Sequence, residues 1–206
     1  MTQAVLFTGG SERWHDLLGG AQVLAGALSR GGIGAALSQD FAVLADRRTD
    51  EADLLLFYTC EKPWSPGELA ALEQRLAEGR GALFLHAANV ILPGQEAYGA
   101  LVGSRFLGHP PFGRFTVEVR PGHPITTGLG DFAIDDELYQ IEWTGEPGEV
   151  LATAVHEGVV QPLVYTRPRG PGRICYIALG HDGRSWHHPS FQQLLIQAAR
   201  WAADKA

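Results

Sequence analysis

Three short runs early in the chain, "AVLFTGG" (Ala4 to Gly10), "DLLLFYTC" (Asp53 to Cys60) and "GALFLHAAN" (Gly81 to Asn89), are apolar at nearly every position instead of every second one. A strand with one wet face alternates; a run that does not alternate has to be covered on both faces, which calls for helices above and below a parallel sheet. The intervening segments supply them. Leu17, Leu18, Ala21, Leu24, Ala25 and Leu28 recur at helical spacing until Gly31-Gly32. Ser65-Pro66 opens a second helix with Leu69, Leu72, Leu76 and Ala77 on one face, stopped by Gly79. A further strand is expected at Ile33 to Ser38.

The second half changes character. "GRFTVEVR", "EVLATAVHEG", "VVQPLVYTR" and "RICYIALG" are strands joined by short Gly/Pro connections, so antiparallel pairing extends the sheet there. A last helix starts at Pro189 and carries Phe191, Leu194, Leu195, Ala198 and Trp201 on its core face. With 206 residues and no linker, one domain over 1–206 is expected. A net charge of −7 and no basic cluster exclude a nucleic-acid binder. The first residues lack a basic stretch and a long apolar span, so no membrane segment or secretion signal is expected and the cytoplasm is the default. Cys60 and Cys175 lack metal-type spacing and are read as free thiols.

Ligands of open α/β sheets bind beyond the carboxyl ends of the parallel strands. Gly9-Gly10 and then Trp14 and His15 follow the first strand, His86 closes the fourth, and Gly180-His181-Asp182 follows the last. Gly9 and Gly10 count as backbone that a substrate can approach, although the full dinucleotide fingerprint is missing. The segments "LFLHAAN", "FLGHPPF", "PGHPITTGL", "DDELYQ" and "GRICYIALGHDGRSWHHPSFQQLLIQAARWA" resemble, in order and spacing, the trehalose-utilisation or ThuA-like family. The resemblance implies a fold related to the class I glutamine amidotransferases: a flavodoxin-like three-layer α/β sandwich with a mostly parallel sheet and antiparallel additions. It also implies carbohydrate utilisation alongside a sugar oxidoreductase. In the amidotransferases a Cys nucleophile stands on the turn after a central strand. That turn here is "LFLHAAN", with His86 and no thiol, so amidase chemistry is rejected.

The matched polar positions are His86, His109, His123, Asp136, Glu137, Tyr139, His181, Asp182 and Trp186, with His15 a looser match. His181, His86 and Glu137 are the expected catalytic groups, moving a proton next to the carbonyl of a keto sugar or disaccharide derivative by isomerisation, elimination or hydrolysis. Glu137, set among Leu138, Tyr139, Ile141 and Trp143, is expected to have a raised pKa. Trp14, His15, His109, Tyr139, Asp182 and Trp186 are the expected substrate contacts, and His123, His187 and His188 are taken as structural. Two or three histidines with a carboxylate make a plausible ligand set, but no H-x-x-x-H or H-x-H pair joins them locally. No metal residue or cofactor is therefore assigned, and a divalent ion stays as a variant. The alternative to an enzyme is a non-catalytic sugar-binding accessory to the oxidoreductase; self-association is left open.

Overall fold

In the computed structural model, which describes residues 2–46 and 49–204, the three apolar runs become β1 (Gln3–Gly10), β3 (Leu54–Cys60) and β4 (Gly81–Leu85). These pair side by side and parallel, with β2 (Gly34–Ser38) outside β1 and β11 (Gly172–Ile177) beyond β4. The register sets Phe7, Phe57 and Phe84 in one row across the sheet, where their rings stack at 5.3 and 5.0 Å. Every residue of β3 and β4 is buried, which is why neither strand alternates.

Past β11 the sheet turns antiparallel through β10 (Val159–Arg169), β9 (Glu149–His156), β6 (Gly113–Val119) and β7 (Phe132–Asp136). The nine-stranded order is β2-β1-β3-β4-β11-β10-β9-β6-β7. Its first five members follow the flavodoxin-like pattern, in which the winding direction reverses between the first and third strands. Right-handed crossovers running in opposite directions place α1 (Leu17–Arg30) on one face and α2 (Pro66–Ala77) on the other. The final α5 (Pro189–Ala203) packs beside α1. Asp16 caps α1 by accepting from the Gly19 N–H, and Ser65 with Glu68 forms a capping box on α2.

Several boundaries differ from the sequence reading. β4 stops at Leu85, and residues 86–89 form a 3₁₀ turn, so His86 begins the turn instead of lying inside a strand. Leu18 faces solvent, and Trp201 is half-buried against His123 instead of sitting in the core. The reading also lacked α3 (Glu96–Val102), β7, and a separate two-stranded sheet of β5 (Ser104–Gly108) and β8 (Gln140–Trp143). β5 and β8 are short and mostly half-buried or exposed, so their apolar pattern is weak. No helix among the described residues is long and apolar enough to cross a membrane.

Candidate functional site

The carboxyl ends of β1, β3, β4 and β11 lie along one edge, and four histidines meet one carboxylate there. Glu137, just past β7, stands with Oε2 3.1 Å from His181 Nδ1 and 3.4 Å from His86 Nε2, and with Oε1 3.3 Å from His109 Nε2. His15 Nε2 lies 3.1 Å from His86 Nε2. One ligand-type atom from each of His15, His86, Glu137 and His181 falls within 4.8 Å of all the others.

Each side chain is held by the fold. His86 adopts φ +48°, an uncommon conformation for a residue with a Cβ, and so leaves the end of β4 at a sharp angle. Its Nδ1 faces the Ala178 carbonyl at 2.7 Å, its own carbonyl accepts from Tyr176 Oη at 2.9 Å, and its ring lies 4.2 Å from that of Tyr139. The loop carrying His181 is tied from two sides. The Gly180 carbonyl accepts from Tyr58 Oη (2.8 Å) and Trp186 Nε1 (2.7 Å), while Asp136 accepts the N–H groups of Gly180 (2.8 Å), His181 (3.1 Å) and Glu137 (2.8 Å).

Burial drives the His15 pKa down to about 3, helped by the nearby His86 and His181, so His15 is neutral at physiological pH. Burial works to raise Glu137, but the imidazoles of His181 and His86 beside its Oε2 outweigh that and hold it well below the usual carboxylate range. The raised pKa expected for Glu137 is therefore corrected: imidazoles, not aromatics, dominate its surroundings. His181 shifts the other way. Burial lowers it, the Glu137 carboxylate more than compensates, and the net direction is up. Burial pushes the Cys60 thiol up to about 12, which keeps it protonated beside the site.

Above the cluster opens a cavity of about 480 Å³, within the usual size of small-molecule sites. Its apolar wall includes Trp14, Phe106 and Tyr139, and its polar wall includes His15, His109, Glu137 and His181.

The profile of the trehalose-utilisation family, ThuA, matches residues 3–202. The chain belongs to the ThuA family. Among solved structures it is similar to a ThuA-like protein from Parabacteroides merdae, at 20% identity and a TM-score of 0.80, covering 98% of this chain and 90% of that one. A ThuA-like protein from Bacteroides uniformis gives 21% identity and a TM-score of 0.81, covering 98% and 91%. A β-galactosidase from Bacillus circulans gives 15% identity and a TM-score of 0.70, and the match spans 99% of this chain but 31% of that one. No curated protein matches.

Within this ThuA chain the residues expected from sequence separate into two groups. His15, His86, His109, Glu137, Tyr139 and His181 converge, and the exposed Trp14 stands at the cavity mouth with Arg13 4.6 Å over its ring. Asp182 and Trp186 do not line the cavity. Asp182 caps the helical turn α4 (Gly183–Trp186) and pairs with Arg184, and Trp186 turns inward with its ring edge against Tyr58. Gly9 and Gly10 are not among the cavity-lining residues either. A Cβ on Gly10, at φ +107°, would run into the Cys60 carbonyl oxygen, so this glycine lets β1 and β3 close together, and a Cβ on Gly9 would touch Phe41. Gly10→Ala is expected to cost about 2–4 kcal/mol in urea unfolding, from strain plus clash; an unmoved midpoint would disprove that role.

His123 caps a short turn by accepting from the Ile125 N–H, His187 closes α4, and His188 stands at the start of α5 with its ring stacked on Phe132; none of the three is among the cavity-lining residues. Phe106 and Phe112, which flank His109 in "FLGHPPF", are not among the contacts expected from sequence. Phe106 joins the cavity wall, and Phe112 packs 5.7 Å from His181 under Arg184. The signal lay in the aromatics bracketing that motif.

Proposed function

We propose that this ThuA protein acts on a carbonyl-bearing sugar, a keto sugar or an oxidised disaccharide derivative, by moving a proton next to the carbonyl in an isomerisation, epimerisation or elimination. The observation that carries the reading is Glu137, one ionised carboxylate on the floor of an aromatic-walled cavity with His181 and His109 on its two oxygens. His181, with its raised pKa, is the proton donor to the carbonyl oxygen. His109 faces the same cavity and takes the proton from carbon. Glu137 is too weakly basic for that abstraction and instead orients both imidazoles and balances their charge. His86 is wholly buried and acts through Glu137, not on the sugar directly. Trp14, Phe106 and Tyr139 offer faces to sugar C–H surfaces. A sugar oxidoreductase that installs the carbonyl is the natural partner, and two buried free thiols suit the cytoplasm.

Calorimetry with oxidised disaccharides, followed by analysis of the recovered sugar, tests this. Binding with a changed product is expected, and Trp14→Ala is expected to weaken binding roughly 5- to 10-fold through loss of one aromatic face. Binding with the sugar returned unchanged would favour the accessory role. No binding at all would end the carbohydrate reading.

A further inference from the structure

We infer that His15, His86, Glu137 and His181 form a binding site for a divalent first-row transition ion of the zinc class. The inference shares the location of the proposed function but not its substrate.

The argument starts from His86. Its Nδ1 lies 2.7 Å from a carbonyl oxygen, which only accepts, so Nδ1 carries a proton there. In the neutral ring Nε2 then offers a lone pair, and that lone pair faces His15 Nε2 at 3.1 Å and the Glu137 carboxylate at 3.4 Å. Lone pairs facing one another at these distances repel unless a proton or a metal ion lies between them. A proton can join one such pair, but here four donors surround one point. His181 Nδ1 adds to the argument: it is buried 3.1 Å from Glu137 Oε2 in poor hydrogen-bond alignment, and an ion that displaces its proton would find this nitrogen at the same point.

The spacing also fits. Nitrogen and oxygen ligands about 2.0–2.1 Å from a tetrahedral ion stand about 3.3–3.4 Å from one another, and closer in higher coordination. The contacting neighbours are 3.1, 3.1 and 3.4 Å apart, and the wider pairs, all within 4.8 Å, close onto one ion with small side-chain movements. Three imidazoles and one carboxylate favour ions such as zinc over magnesium or calcium, which prefer oxygen. The outer contacts match those of a built site: the Ala178 carbonyl fixes the His86 tautomer, and Asp136 fixes the backbone beneath His181 and Glu137. A bound ion would supply an electrophile for a sugar oxygen. His181 would then be a ligand, leaving His109 as the proton-transfer group at the cavity wall.

The test uses the full chain, stripped with chelator and dialysed, then titrated with Zn²⁺ by calorimetry and with Co²⁺ by visible absorption. About one equivalent per chain is expected, with a raised Tm and d–d bands of a nitrogen-rich site. His86→Ala is expected to weaken zinc binding by at least about 100-fold. Should that buried variant misfold, His181→Ala on the partly exposed loop gives the same readout in a folded chain, checked by circular dichroism. Absence of uptake, equal uptake of Mg²⁺, or full zinc binding by both variants would overturn the inference. Zinc binding without any action on sugars leaves the metal site standing and removes the carbohydrate reading; sugar turnover in protein that takes up no zinc does the reverse.

Discussion

Asp136→Ala should destabilise the protein by about 3–5 kcal/mol, the largest single effect expected outside the apolar core. The buried carboxylate accepts three backbone N–H groups, from Gly180, His181 and Glu137, on two segments distant in sequence. Two effects oppose each other. Burial raises the Asp136 pKa, against the pull of His86 and the three N–H groups, so keeping the ion costs free energy that the mutation removes. Deleting the side chain, however, leaves three buried donors without an acceptor at about 1–3 kcal/mol each, and this loss is the greater. Asp136→Asn keeps one acceptor oxygen and should lose roughly half as much. Denaturant unfolding of both variants measures the ratio. Stability equal to wild type in Asp136→Ala would show that water replaces the carboxylate without cost.

Glu137→Gln should lower turnover of a keto-sugar substrate by about 10²- to 10⁴-fold while leaving the fold intact. The substitution conserves shape and removes the charge that His86, His109 and His181 share. Without that anion the proton on His181 is no longer favoured, and an amide nitrogen on that side cannot accept from the His181 N–H. Steady-state rates with product analysis, alongside a thermal melt, separate chemistry from stability. Unchanged turnover in a folded variant would move the reaction away from this carboxylate.

The parallel half of the fold was legible because β3 and β4 are buried throughout, and an unbroken apolar run has few other uses. His86 and His181 were legible for a related reason: a polar residue directly after such a run lies at the sheet edge where ligands bind. What the pattern of residues could not convey was direction. Asp182 and Trp186 adjoin His181 in the chain, yet one turns back to cap α4 and the other drives its indole N–H into the Gly180 carbonyl. The sense of the Glu137 pKa shift was equally hidden, since its controlling imidazoles come from segments about 30 to 50 residues away in sequence. β5 and β8, short and half-wet, carry no periodicity strong enough to mark them.

The insertion of β11 between β4 and β10 has a kinetic consequence. The carbonyl that orients the His86 ring belongs to Ala178, 92 positions along the chain, and His181 follows it on the same segment. Until that late strand docks, His86 has no anchor and Glu137 lacks its tightest imidazole neighbour. Closing a loop of that length is slow compared with forming the local β1–α1–β2 unit, so assembly of the histidine cluster should fall among the final events of folding.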